Sequence, residues 1–342
     1  MTYPKKTHLL LLAAALFAWA LPALAERVEP PLELLYAPGN MLVTGSLVEI
    51  NPAGRLVFKR KDVLAGKPKP PELIDVRVPA GTLGEVKLGE RYIFGYTNLR
   101  PDPRRPTRLV VNPDGAALLA SIGLEPALFR DTSDTRTILA AGRSERGRES
   151  RRLFRLLLKA LSGKDRALQN LAAGEFAQES EFGERLREDG QDTIEKTVRD
   201  VATPPGARTT LLVAAATRPG DFGTWWPDAA LGIVTNTPVG GYASEAGDLD
   251  GLVLSALELL DKQGTTTPPD ALKRWVWSPS PALAERASVM LRRQAPALER
   301  SAIQQALADP RLPEKTRKFL NDHLRRLDRL DARSAAQKDG TG

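Results

Sequence analysis

The hydrophobic period changes once along this chain, and that change most limits what it can fold into. In the first hundred or so residues apolar side chains alternate, as in half-buried strands; from Ser150 onward they return every three to four residues, as on amphipathic helices. Strands first and helices after, without interleaving, point to an α+β chain of two domains rather than a parallel α/β sheet.

Residues 1–25 are expected to stand outside that fold. Lys5 and Lys6 precede the apolar run Leu9–Leu21, and Pro22 with Ala23-Leu24-Ala25 gives a helix break and a small-x-small cleavage site. The run is shorter than the roughly 20 residues that span a bilayer. It reads as a signal peptide cut after Ala25, an uncleaved anchor being the alternative. No cysteine follows for lipid attachment, and no later stretch is apolar enough to cross a membrane. The Ala, Leu and Arg bias suggests a bacterial chain, so the expected location is the periplasm.

The chain has 0 Cys. Disulfides, thiolate metal sites and cysteine nucleophiles are excluded, and stability falls to core burial. The formal charge is +7, or +5 once Lys5 and Lys6 leave with the leader. This mild excess serves solubility and could favour an anionic membrane face or acidic partner.

Residues 26–130 form the expected β domain. A lead-in carries one short strand at Leu32–Tyr36. Met41–Ile50 and the strand from Leu56 form a hairpin over Asn51-Pro52-Ala53-Gly54, with Gly54 free to take a positive φ. Leu73–Val78 alternates most clearly: Ile74, Val76 and Val78 on one face, Asp75 and Arg77 on the other. Tyr92, Phe94 and Tyr96 share a face of the next strand and are expected to fill a small barrel. Leu109-Val110-Val111 reads as the last strand, and a helix is expected over Gly115–Ile122.

Three pieces in this order, Val43–Glu49, Val63–Gly66 and Gly89–Phe94, resemble the OB-type barrel of netrin-like and tissue-metalloprotease-inhibitor-like domains, over residues 33–125. The resemblance implies a small OB-like β-barrel. Those inhibitors act through an N-terminal cysteine and a disulfide frame that are missing here, so the fold carries over and the metal-chelating mechanism does not. OB barrels often bind single-stranded nucleic acid; Lys59, Arg60, Lys61, Arg91, Arg104 and Arg105 with Tyr92 and Tyr96 could be read so, but for an exported chain the expectation is no nucleic acid.

Residues 131–149, rich in Ser, Thr, Gly and Arg, read as a linker. Residues 150–330 form an α-helical domain. Leu153, Leu156, Leu157 and Leu161 line one face of its first helix, and Arg151, Arg152, Arg155 and Lys159 stand opposite as the candidate contact for an anionic surface. Stripes follow at Leu168–Phe176, Phe182–Arg187, Ile194/Val198/Val201 and Leu211–Ala216. Leu249–Leu260 is apolar on nearly every side and should be a central helix, capped by Asp248 or Asp250. Ser280-Pro281 should cap another, with Leu283, Ala287, Met290 and Leu291 on its apolar face. Short helices with Pro-marked breaks suggest stacked antiparallel pairs, and Ser278–Leu307 resembles a HEAT-type repeat. A degenerate solenoid and an irregular bundle both stay open. Residues 331–342 are expected to be a disordered tail.

Few chemistries find their residues here. After the leader one histidine remains, His323, between Leu320 and Arg325 and read as an exposed helix position. Gly-x-Ser-x-Gly, the P-loop and Gly-x-Gly-x-x-Gly are absent. Asp248-Leu249-Asp250-Gly251 lacks the spacing of a calcium loop. No catalytic, cofactor or metal residue is assigned. The least ordinary feature is aromatic: Trp225, Trp226, Trp275 and Trp277 all lie in the helical part, with Tyr242 on a loop nearby. They either plug gaps between helices or anchor a bound peptide or protein. The expected function is a non-enzymatic protein- or peptide-binding scaffold of the bacterial envelope. The alternatives are a carboxylate-dependent hydrolase acting on envelope material, and a structural component of an envelope assembly.

Overall fold

The computed structural model describes residues 29–51, 54–66, 70–97, 117–122, 125–144, 150–239 and 247–339. The expected leader, the Leu109–Val111 strand, Arg104, Arg105 and Tyr242 lie outside them.

The first half is a sheet that closes on itself. Strands β1 (Asn40–Asn51), β2 (Arg55–Ala65), β3 (Leu73–Arg77), β4 (Arg91–Thr97) and β5 (Ala117–Leu119) follow the ring order β1-β2-β3-β5-β4, and β4 pairs back onto β1. Only β3–β5 is parallel among these pairs. A one-turn helix, α2 (Ala80–Leu83), follows β3. Beyond the ring come β6 (Ser121–Ile122) and β7 (Glu125–Pro126), which pair together, and β8 (Leu128–Arg130), which pairs with β4. Gly54 takes φ +84° at the β1–β2 turn, and its carbonyl receives Val78 N–H at 2.9 Å.

Alternation decides what fills the ring. Ile74, Val76 and Val78 are buried, as are Tyr92, Phe94 and Tyr96, and Phe58 packs on Phe94 with ring centroids 4.3 Å apart. The stretch Ala117–Ile122, expected as a helix, is two short strands. There tertiary pairing overrides local preference, because β5 hydrogen-bonds both β3 and β4 to complete the ring.

The other face of the ring does not meet water. Leu42, Ile93 and Phe129 are fully buried in a second, larger core that runs on into the helices. The element at this seam is α1 (Pro31–Tyr36), where a strand was expected. Pro31 starts a helical turn well, and Leu32 and Leu35, three apart, fall on one buried face. Leu35 lies over Gly95 of β4, where a Cβ would come within 2.5 Å of Leu35 Cδ2. Leu32 lies over Gly142, where a Cβ would meet Leu32 Cδ1 at 2.7 Å.

Gly142 belongs to α3 (Ser133–Ser144), a helix within the stretch read as a linker. Thr132 Oγ1 accepts Thr135 N–H at 3.2 Å, and Thr135, Ile138, Leu139 and Ala141 are buried. The polar composition that suggested a linker serves the cap and the outer face.

The helices then continue as α4 (Arg151–Leu161), α5 (Arg166–Gln178), an irregular segment through Gly190, α6 (Gln191–Arg199), α7 (Pro205–Thr217), the short α8 (Pro219–Phe222), α9 (Trp226–Asn236), α10 (Gly247–Lys262), α11 (Pro269–Val276), α12 (Pro281–Gln294), α13 (Pro296–Ala308) and α14 (Glu314–Asp339). Two rows emerge from their packing. In one, α5, α7, α10, α12 and α14 each pack on the next; in the other, α4 packs on α6, α6 on α9, and α11 on α13. Each member of the second row also packs on its successor in sequence: α4 on α5, α6 on α7, α9 on α10, α11 on α12 and α13 on α14. Val201, expected on the α6 stripe, falls past the helix end and is 85% exposed. The tail expected to be disordered is helical through Asp339, in keeping with its Ala, Arg, Gln and Lys content.

Guanidinium groups tie these rows together at helix C-termini, where backbone carbonyls lack intrahelical donors. Arg208 of α7 donates to Val198 O at the end of α6 (2.7 Å). Arg218 donates to Phe176 O and Ala177 O at the end of α5 (2.6 and 2.9 Å). Arg274 reaches Val234 O and Thr237 O after α9, and Arg317 reaches Leu307 O after α13. Burial lowers the pKa of both Arg208 and Arg218 from the usual arginine value.

The seam is testable by a double-mutant cycle in urea. Gly95→Ala should destabilise by about 1–3 kcal/mol through overpacking against the enclosed Leu35. Leu35→Ala should cost about 2–5 kcal/mol, and the pair should cost clearly less than the two summed. Simple additivity would show that Leu35 and Gly95 do not meet.

Candidate functional site

The tryptophans are placed by the turns around α9. Gly223, at φ +96°, ends α8, and Trp225 Nε1 donates back to Phe222 O at 2.6 Å. Trp225 is half-buried, and Trp226, which opens α9, is 6% exposed. Trp275 lies at the other end of α9: fully buried, it donates from Nε1 to Val234 O at 2.8 Å. Eight residues of helix, about 12 Å, separate Trp226 from Val234, so the two pairs of tryptophans do not form one cluster. Trp226 and Trp275 lie within the core rather than on a surface a partner could reach. Trp277, beyond the end of α11, is half-buried under Arg311, whose guanidinium carbon lies 5.7 Å from its ring centre. Its N–H faces Asp309 without completing a hydrogen bond. The Asp309 carboxyl is held down to about 2, first by the Arg311 side chain, then by the Arg311 backbone N–H.

The basic residues are arranged as the helical period requires. Leu153, Phe154, Leu157 and Leu161 of α4 are buried, so Arg151, Arg152, Arg155 and Lys159 are exposed on the opposite side. Ser150 caps the helix, its Oγ accepting Leu153 N–H at 3.0 Å.

His323, expected at an exposed position, is instead 7% exposed. Its Nε2 lies 2.9 Å from Glu299 Oε1 and 3.1 Å from Arg292 Nη2, joining α12, α13 and α14. Arg292 also grips Glu299 through Nε and Nη2, at 3.0 and 2.9 Å. Each side chain in this trio has a partner, and the cluster acts as an interhelical pin.

Asp250 does not cap α10. It lies in the first turn, and its Oδ1 is buried with no hydrogen-bond partner. Desolvation raises its pKa above the usual aspartate value. The side chain of Asp248 is outside the described residues.

A cleft of about 480 Å³ opens at the seam between Tyr36–Asn40, Val63–Gly66 and Arg143. Its polar groups are spent on the protein itself: Tyr36 Oη donates to Leu139 O at 2.8 Å, Asn40 Nδ2 to Leu34 O at 2.5 Å, and Arg143 Nη1 to Leu64 O at 3.1 Å. Among the described residues no helix is long and apolar enough to cross a membrane. Comparison with family models, with curated proteins and with solved structures finds no match for this chain.

Asp250 gives a pH test. A carboxyl whose pKa is raised by folding adds stability at pH below its unfolded pKa and loses that contribution as pH rises through the folded pKa. Asp250→Asn should therefore raise Tm relative to the parent at pH 7, and the gain should vanish on acidification to about pH 3.5. A gain independent of pH would place the effect elsewhere than the carboxylate.

Proposed function

We propose that this chain is an exported, non-enzymatic scaffold of a bacterial cell envelope that binds a protein or peptide partner on its helical half. In this reading the N-terminal ring is an OB-type barrel, supported by the order β1-β2-β3-β5-β4 with a parallel β3–β5 pair and a short helix between β3 and β4. The helices form a HEAT-like stack of five pairs, supported by the two rows and the arginine caps.

One observation carries the binding role. The helices α7 and α10 pack against each other and leave outer faces uncovered with almost no charge on them. On α7 Val213 and Thr217 are exposed and Thr209 and Thr210 half-buried; on α10 Gly251 is exposed and Leu254 and Ser255 half-buried, between the half-buried Asp250 and the exposed Glu258. In a chain that is 27% charged, an uncharged exposed surface across two adjacent helices suits a partner better than it suits water.

A photo-reactive residue placed at Val213 or Leu254 in the exporting cell should give a discrete protein adduct. The same residue at Leu88, 61% exposed on the ring, should not. Loss of adducts at both helical positions, or equal labelling at all three, would contradict the proposal.

A further inference from the structure

We propose that the basic stripe of α4 seats the protein on an anionic phospholipid surface. This goes beyond the partner-binding role, since α4 belongs to the opposite row from α7 and α10.

The orientation of the stripe is fixed. Its helix buries Leu153, Phe154, Leu157 and Leu161 in the core shared with the ring, so α4 cannot roll to hide its charges. Arg151, Arg155 and Lys159 recur at i, i+4 and i+8 along about 12 Å of one edge. Arg152 lies beside them, and Lys164, three residues past the helix end, is also exposed.

Compensation by acid is slight at Arg151, Arg155 and Lys159. The segment Arg151–Leu161 has no acidic residue. Lys159 meets Asp134 of α3 at 3.4 Å, with both side chains at least 65% exposed, a pair too wet to neutralise it. Arg151 and Arg155 have no ion-pair partner among the described residues. On α6, which packs beside α4, exposed Asp192 and Lys196 offset each other. By contrast, the arginines of α12 are largely engaged by Asp261, Glu258 and Glu299. The apolar face of α4 is already committed, so the contact is electrostatic and peripheral rather than an insertion. A flat, diffuse array of negative charge matches a stripe of separate, exposed cations along one helix edge. Each cation near such a surface strengthens binding about fivefold at low ionic strength.

The test uses the protein from Glu26 onward, which keeps every described residue. Sedimentation with phosphatidylcholine vesicles, with and without phosphatidylglycerol, is compared at low salt and at about 1 M salt, where the Debye length is about 3 Å. Binding should require phosphatidylglycerol and disappear at high salt. Arg151→Gln with Arg155→Gln should weaken it about 25-fold. Arg326→Gln with Arg329→Gln, an equal charge change on α14, should leave it within about twofold, with circular dichroism confirming that both variants fold. No preference for phosphatidylglycerol, equal losses in the two variants, or binding to a soluble polyanion but not to vesicles would each overturn the proposal.

Discussion

A buried carboxylate at the seam holds the two halves of this protein in register. Glu175 of α5 is 4% exposed, and its Oε1 accepts the backbone N–H of Leu32, in the first turn of α1, at 2.5 Å. The first N–H groups of a helix have no internal acceptor, so a carboxylate meeting them satisfies both sides and complements the local dipole. With that bond made, α1 lies with Leu35 over Gly95 of the ring and Leu32 over Gly142 of α3. Removing the carboxylate would take an acceptor from a buried N–H, a cost of about 1–3 kcal/mol. Six residues thus join two kinds of structure through one buried hydrogen bond and two close side-chain contacts.

The same economy of polar groups organises the helical half. Among the described residues six helices of this half, and α1 at the seam, begin with Pro in the first turn and have no side-chain cap. At the other ends of α5, α6, α9 and α13, guanidinium groups of neighbouring segments reach the terminal carbonyls. This fixes how neighbouring helices meet while leaving their outer faces unspecified. The uncharged faces of α7 and α10 and the cationic face of α4 are such free surfaces, on opposite rows of one stack.

Local pattern made part of this legible. The alternation in Leu73–Val78, the inward triplet Tyr92, Phe94 and Tyr96, the positive φ of Gly54 and the helices over Leu249–Leu260 and Leu283–Leu291 all follow from period and turn chemistry. What was not legible depends on contacts distant in sequence. The segment Leu32–Tyr36 is short enough to read as a strand, and its helix is fixed by Glu175, 143 residues from Leu32. The polar composition around α3 hid the stripe Ile138, Leu139 and Gly142. His323 was misread from its arginine neighbours, although helical spacing from Leu320 and Leu327 sets it on the inner face. Trp275 shares the Leu272–Val276 face and so belongs to the core, while Trp277 lies one step past the helix end and remains half-exposed. The candidate site was legible as a basic face but not as an uncharged one, because Thr, Gly and Ser at exposed positions leave no mark in a sequence until the packing rows are known.

The central claim is that ring and helices share one core and fold as one unit. The chain contains reporters for both halves, since Trp225, Trp226, Trp275 and Trp277 lie in the helical half, while, once Tyr242 is replaced by Phe, the tyrosine reporters are Tyr92 and Tyr96 in the ring and Tyr36 at the seam. Urea unfolding followed by tryptophan fluorescence and by tyrosine near-ultraviolet circular dichroism should give coincident transitions. Glu175→Ala should move both midpoints together. Two separated transitions, or a Glu175→Ala shift confined to one reporter, would contradict the account.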